Sequence, residues 1–136
     1  MLLKIILTNW IHLVGFYITT CFTLLLFKVV GLSEESDTWI NALVTMPLST
    51  LFLFFLYGPM IIAGFYAVVF VLDIIGFGFT KANVLRVLLL EWLIISSPFV
   101  YWAFKYDYWL WLTLSLSFLA TQLFRKLKIE IFLETS

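Results

Sequence analysis

Residues 39–79 read WINALVTMPLSTLFLFFLYGPMIIAGFYAVVFVLDIIGFGF, an apolar run whose one charged residue is Asp73. The hydrocarbon core of a bilayer takes about 20 helical residues to cross, so this run is close to twice a spanning length. It is interrupted at Tyr57-Gly58-Pro59, where glycine permits a turn and proline suits the first position of a following helix. The stretch therefore reads as two spans, 39–56 and 60–79, folded back at Gly58-Pro59. The alternative is one long helix that only kinks there, which lowers the span count by one.

Outward from this stretch, apolar runs at 7–32, 87–104 and 108–124 supply further spans at about 6–29, 86–104 and 108–124. The expected fold is an all-α polytopic membrane bundle of five helices, four in the alternative, forming one domain over 1–136. Composition agrees: 64% of residues are hydrophobic, 12% are charged, and mean hydropathy is +1.12. Too little charge remains to wet a soluble surface. No room is left for a soluble domain, because the longest polar stretch is Ser33-Glu34-Glu35-Ser36-Asp37-Thr38. Asp37 and Thr38 suit the cap of the second helix, and Pro47 is expected to kink it. The first run is too long for a signal-peptide core and contains Asn9 and His12, so it reads as a retained span.

Five spans place the termini on opposite sides. With the amino terminus outside, Lys28, Lys81, Arg86, Arg125, Lys126 and Lys128 are cytoplasmic and only Lys4 and Lys105 face out, which the positive-inside rule favours. Aromatic residues prefer the headgroup level, and Tyr101, Trp102, Tyr106, Tyr108, Trp109 and Trp111 crowd the proposed outer hairpin, with Tyr57 and Trp10 assigned to the same level. The basic and then amphipathic tail after Phe124 reads as a frayed, solvated end, with a short helix lying along the anionic inner surface as the alternative.

Ionisable groups inside a membrane are costly and invite a functional question. Three stand out: His12, Asp73 and Glu91. Asp73 and Glu91 fall at similar depth in the inner third of neighbouring antiparallel helices and can face each other. They form either a proton-binding pair or structural ion pairs with Lys81 and Arg86. His12 belongs to a stripe with Thr8, Gly15, Thr19 and Thr23 at helical spacing, and the last helix carries Thr113, Ser117 and Thr121 in the same manner. Small and hydroxyl-bearing residues are the usual packing face of membrane helices. The two faces are expected to pack on each other or on a partner. Gly76, Gly78 and Ser96-Ser97-Pro98 mark mid-membrane helix breaks of the kind transporters use.

Several functions are disfavoured by composition and motif. Zero formal net charge offers no basic face for nucleic acid. One cysteine, Cys21, cannot form an internal disulfide. The single histidine does not supply the usual bis-histidine haem site, although Met46 or Met60 is a conceivable second ligand, and no cofactor is expected. Donors for zinc or iron are scattered at unlike depths, and no serine- or zinc-hydrolase motif is present. The expectation is a non-enzymatic membrane subunit or assembly factor in contact with lipid and with other membrane proteins or its own copies. It would reside most simply in a bacterial cytoplasmic membrane. The alternative is a small proton- or cation-linked transporter using Asp73 and Glu91.

Overall fold

The computed structural model describes residues 1–31, 39–79 and 83–135, and among these there is helix and no strand. The helices are α1 (Leu2–Leu7), α2 (Trp10–Val29), α3 (Trp39–Leu56), α4 (Gly58–Asp73), α5 (Val84–Lys105) and α6 (Leu110–Glu134), with α4 continuing into a π-helical segment over Ile74–Phe79. Three stretches, Leu2–Val29, Gly58–Phe79 and Val84–Lys105, are long and apolar enough to cross a membrane, and Ile40–Leu56 is a shorter apolar helix. Asp37, Thr38 and Lys81, to which capping and ion-pairing roles were assigned, lie outside the described residues.

The chain does not fold back at Gly58-Pro59. A single residue, Tyr57, separates α3 from α4; its φ of −109° and ψ of −21° are still right-handed helical, and its amide keeps a helical bond to the Leu53 carbonyl at 2.9 Å. One residue in that conformation bends a helix and does not reverse it. Contacts with α2 give the direction. Tyr17 meets Pro47 and Phe54, whereas His12 meets Phe65 and Asn9 meets Tyr66 and Asp73. Partners in α3 and then α4 thus pair with progressively earlier residues of α2, so both helices run antiparallel to it as one bent leg. Proline at the start of α4 removes one backbone donor and supplies the bend.

The result is four antiparallel legs: α1–α2, α3–α4 with its π-helical end, α5 and α6. Both termini lie at one end, because Ile5, Leu88 and Ile129 form a single buried cluster. The expectation of opposite termini is corrected with the hairpin on which it rested. Trp10 also changes level. Its ring lies 5.0 Å from the Lys128 ammonium, at the end that carries the termini, whereas Phe27 meets Tyr108 at the opposite end.

Two further expectations are revised. Ser96-Ser97-Pro98 does not interrupt α5, which is continuous; the Ser97 hydroxyl donates to the Leu93 carbonyl at 2.7 Å beside the proline. The tail after Phe124 is not a loose end but the last turns of α6, with Arg125 and Ile129 fully buried. Phe118, Gln122, Arg125 and Ile129 recur at spacings of three and four, so one helical face carries them into the bundle. The turn from α5 to α6 is closed at Asp107, whose φ of 50° is left-handed, a conformation that aspartate tolerates better than most residues.

The core at mid-height is aromatic. Phe16, Phe65, Phe99 and Phe118 are buried together with Val69 and Ile95, and the Phe16–Phe65 and Phe65–Phe118 rings meet edge to face at 5.0 and 5.2 Å. This geometry suits the ring quadrupoles. Directly beneath lies the polar cluster.

Candidate functional site

The site begins with a break in a helix. At Thr8-Asn9 the backbone tightens, and the amides of Thr8 and Asn9 bond three residues back, to Ile5 and Ile6 at 3.0 and 3.1 Å. Short polar side chains compete with the helical ladder in this way: the Thr8 hydroxyl donates to the Ile5 carbonyl at 2.6 Å. The break separates α1 from α2 and presents Thr8, Asn9 and the Ile5 carbonyl to the interior.

Arg125 enters from α6 and takes up what the break offers. Its Nε donates to Thr8 Oγ1 at 2.8 Å, Nη1 to Glu91 Oε2 at 3.2 Å and to Gln122 Oε1 at 3.5 Å, and Nη2 to both Asp73 oxygens at 2.6 Å and to the Ile5 carbonyl at 3.4 Å. A guanidinium carries five N–H donors in a fixed fork, and here each has an acceptor. Asn9 Nδ2 donates to Asp73 Oδ2 at 2.7 Å and Gln122 Nε2 to Glu91 Oε2 at 2.9 Å. The side chains of Arg125 and Asp73 are wholly buried, and that of Glu91 is 2% exposed.

Asp73 and Glu91 are therefore brought to one place, on α4 and α5, with a different cation from those expected. Arg86 is exposed and takes no part in the cluster. Asp73 stands at the junction of α4 with the π-helical segment, and the facing guanidinium compensates its buried charge. The π-helical segment that follows brings Gly76 against Val87, where a Cβ on residue 76 would clash, so α4 and α5 approach closely beside the cluster.

His12 sits at the same end, one turn above Thr8. Its Nδ1 pairs with Thr121 Oγ1 at 2.7 Å, and its ring lies edge-on to Phe118 at 4.8 Å. The expected small-residue faces of α2 and α6 meet each other. Gly15 lies against Thr121 and Ser117, and Thr23 donates to Thr113 at 3.1 Å; Thr19 is half-buried. Four atoms of this buried polar set have no partner: Asn9 Oδ1, His12 Nε2, Glu91 Oε1 and Ser96 Oγ.

Sequence reasoning missed Asn9, Gln122 and above all Arg125, which was grouped with the terminal cations. The signal was available in spacing. Arg125 follows Thr121 by four and Phe118 by seven, and so continues the face that was identified as packed.

The arrangement joins all four legs through one hydrogen-bonded charge cluster. Among the described residues no group of three or more metal-binding side chains converges. Comparison with protein-family models, curated proteins and solved structures gives no match to this chain.

Proposed function

We propose that this chain is an integral membrane protein crossing the bilayer as four helical legs, and that it serves as a non-enzymatic subunit or assembly factor of a larger membrane complex. Membrane insertion is supported by three stretches of spanning length and composition and by exposed apolar side chains along α3 and α4, up to 88% exposure at Met60. The leg over 39–79 is roughly 60 Å at 1.5 Å per residue, twice the hydrocarbon thickness of about 30 Å. With both termini at one end, Lys4, Arg86, Lys126 and Lys128 gather there and Lys28 and Lys105 lie at the other. The positive-inside rule then assigns the termini to the cytoplasmic side, most simply of a bacterial cytoplasmic membrane.

The observation that carries the structural role is the saturation of Arg125. With its donors engaged by Asp73, Glu91, Gln122, Thr8 and the Ile5 carbonyl, the buried charges hold helices together. Two apolar cavities among the described residues are lined by none of Asp73, Glu91 and Arg125. The surface that supports interaction with partners is the outward apolar one, above all that of α3. Purification of the tagged chain at native expression in mild detergent, with identification of what accompanies it, tests this reading. A stoichiometric set of other membrane polypeptides is expected; a clean species containing this chain alone overturns it.

One observation favours a second reading, proton- or cation-linked transport by an oligomer. Glu91 Oε1, Asn9 Oδ1 and His12 Nε2 are buried without partners, and such atoms are the ones a transported ion or proton would engage. That reading fails if an Asp73→Asn, Glu91→Gln double variant retains full proton-coupled flux in vesicles.

A further inference from the structure

Two carboxylates and one guanidinium do not balance. The Arg125 and Asp73 side chains have no exposure and that of Glu91 has 2%. With all three ionised, one negative charge is buried without a counterion, which a low-dielectric interior penalises heavily. His12 does not supply the missing cation. Thr121 gives its own hydrogen to the Phe118 carbonyl at 2.9 Å, so at 2.7 Å it accepts from His12 Nδ1, and Nε2 meets no partner. A charged imidazole donates from both nitrogens; with one engaged, these bonds define the neutral tautomer. The other cations at this end do not enter the cluster: Lys4 and Arg86 are exposed, Lys126 pairs with Glu130 and Lys128 lies over Trp10.

We propose that the balance is made by a proton held on Glu91 Oε1 and donated to the Asp73 carboxylate, so that two carboxyls, one guanidinium and one proton form a neutral unit. The two acidic side chains stand within hydrogen-bonding reach of each other. Two ionised carboxylates are both acceptors and repel at that range, whereas a single shared proton turns the contact into a bond. The surrounding donors assign the proton to one oxygen. Asp73 accepts from Arg125 at both oxygens at 2.6 Å, and its Oδ2 accepts from Asn9 at 2.7 Å, the surroundings of a carboxylate. Glu91 accepts only at Oε2, from Gln122 at 2.9 Å and Arg125 at 3.2 Å. Its Oε1 is buried with no donor directed at it, so a negative charge there has no support and an O–H has Asp73 as its acceptor.

A proton suits this place better than a larger cation. The guanidinium already bridges both carboxyls and repels a second positive ion, and among the described residues no three metal-binding side chains converge. The proposal rests on the site of the transport reading and names its ligand, but a resident proton requires no flux and is equally part of a cluster that only holds helices together.

The test is the infrared spectrum of the full chain in maltoside micelles, which lack ester carbonyls, at about pH 7.5, where exposed carboxyls are ionised. A protonated carboxyl shows its own C=O stretch above the amide bands. One such band is expected, shifted by carboxyl-13C labelling of glutamate, lost in Glu91→Gln and kept in Glu130→Gln. It is also expected to vanish in Asp73→Asn, because one carboxylate then matches one guanidinium. Absence of the band from the native chain overturns the proposal, as does a band that survives Asp73→Asn, which would give the proton to burial alone. A band that appears only when sodium and potassium are removed gives the site to an alkali cation and overturns it equally. Should Asp73→Asn fail to fold, thermal midpoints decide. The amide of Glu91→Gln donates where the proton did, so a midpoint within about 4 °C of the native chain is expected, against at least twice that loss in Glu91→Ala. Glutamine as damaging as alanine overturns the shared proton. Proton-coupled flux in vesicles is a separate measurement, and its absence removes transport while leaving the resident proton in place.

Discussion

Arg125 Nη2 lies 2.6 Å from both carboxylate oxygens of Asp73, a residue 52 positions earlier in the chain, with no solvent exposure on either side chain. Removing ions from a polar solvent is costly, and their attraction offsets that cost only when every donor is used. The Glu91 and Thr8 contacts meet that condition on the arginine side. The cluster therefore acts as a lock whose parts depend on one another.

Deleting the cation alone should be the most damaging change. Arg125→Met leaves Asp73 and Glu91 facing each other unpaired, and a loss of about 3–5 kcal/mol is expected, read as reversible unfolding in mixed micelles. The triple variant Arg125→Met, Asp73→Asn, Glu91→Gln should recover at least about 1 kcal/mol of that loss, since interacting sites are not additive. If the triple variant is no more stable than Arg125→Met, the three groups do not form one coupled unit.

Glycines in this bundle should divide sharply by what a methyl group would meet. At Gly15 an added Cβ collides with Thr121, and at Gly76 with Val87, whereas at Gly64 nothing lies within 4 Å. Gly15→Ala is expected to cost about 1–3 kcal/mol by forcing α2 from α6. Gly64→Ala should be neutral or stabilising by up to about 1 kcal/mol, because alanine favours the helix. Thermal midpoints of the purified variants check the contrast, and equal shifts at the two positions would contradict the packing described.

Much of the architecture was legible and one decisive part was not. Apolar length identified the helices near 39–56, 86–104 and 108–124, and the periodicity of Thr8, Gly15, Thr23 with Thr113, Ser117, Thr121 marked two faces that do meet. The failure lay at Gly58-Pro59. Glycine and proline are compatible with both a reversal and a bend, and local propensity does not choose between them; the choice came from long-range partners such as Tyr66 for Asn9 and Asp73 for Arg125. Arg125 was misplaced for a related reason. Charge marks the end of a span when each helix is considered alone, but the buried carboxylates of two other helices turn that arginine inward.

Topology offers a direct check on the bend. Because Ile5 and Ile129 share one buried cluster, reporters fused at the amino and carboxyl termini should report the same side of the membrane, and the cytoplasmic one. In a Cys21→Ser background, Asp107→Cys should react with an impermeant maleimide added from the opposite side. Termini on opposite sides would restore the hairpin at Gly58-Pro59 and remove the four-legged arrangement.

The smallest informative change is at Thr8. Its hydroxyl accepts from Arg125 Nε at 2.8 Å and donates to the Ile5 carbonyl at 2.6 Å, so one oxygen joins the helix break to the charge cluster. Thr8→Val keeps the shape of the side chain and leaves the Nε donor buried without an acceptor, at an expected cost of about 1–3 kcal/mol. Thr8→Ser keeps the oxygen and loses only a methyl group, with an expected loss of about 1 kcal/mol or less. Unfolding of the two variants side by side separates hydrogen bonding from packing. If valine is tolerated as well as serine, the break at Thr8-Asn9 is held by packing alone, and the arginine does not depend on it.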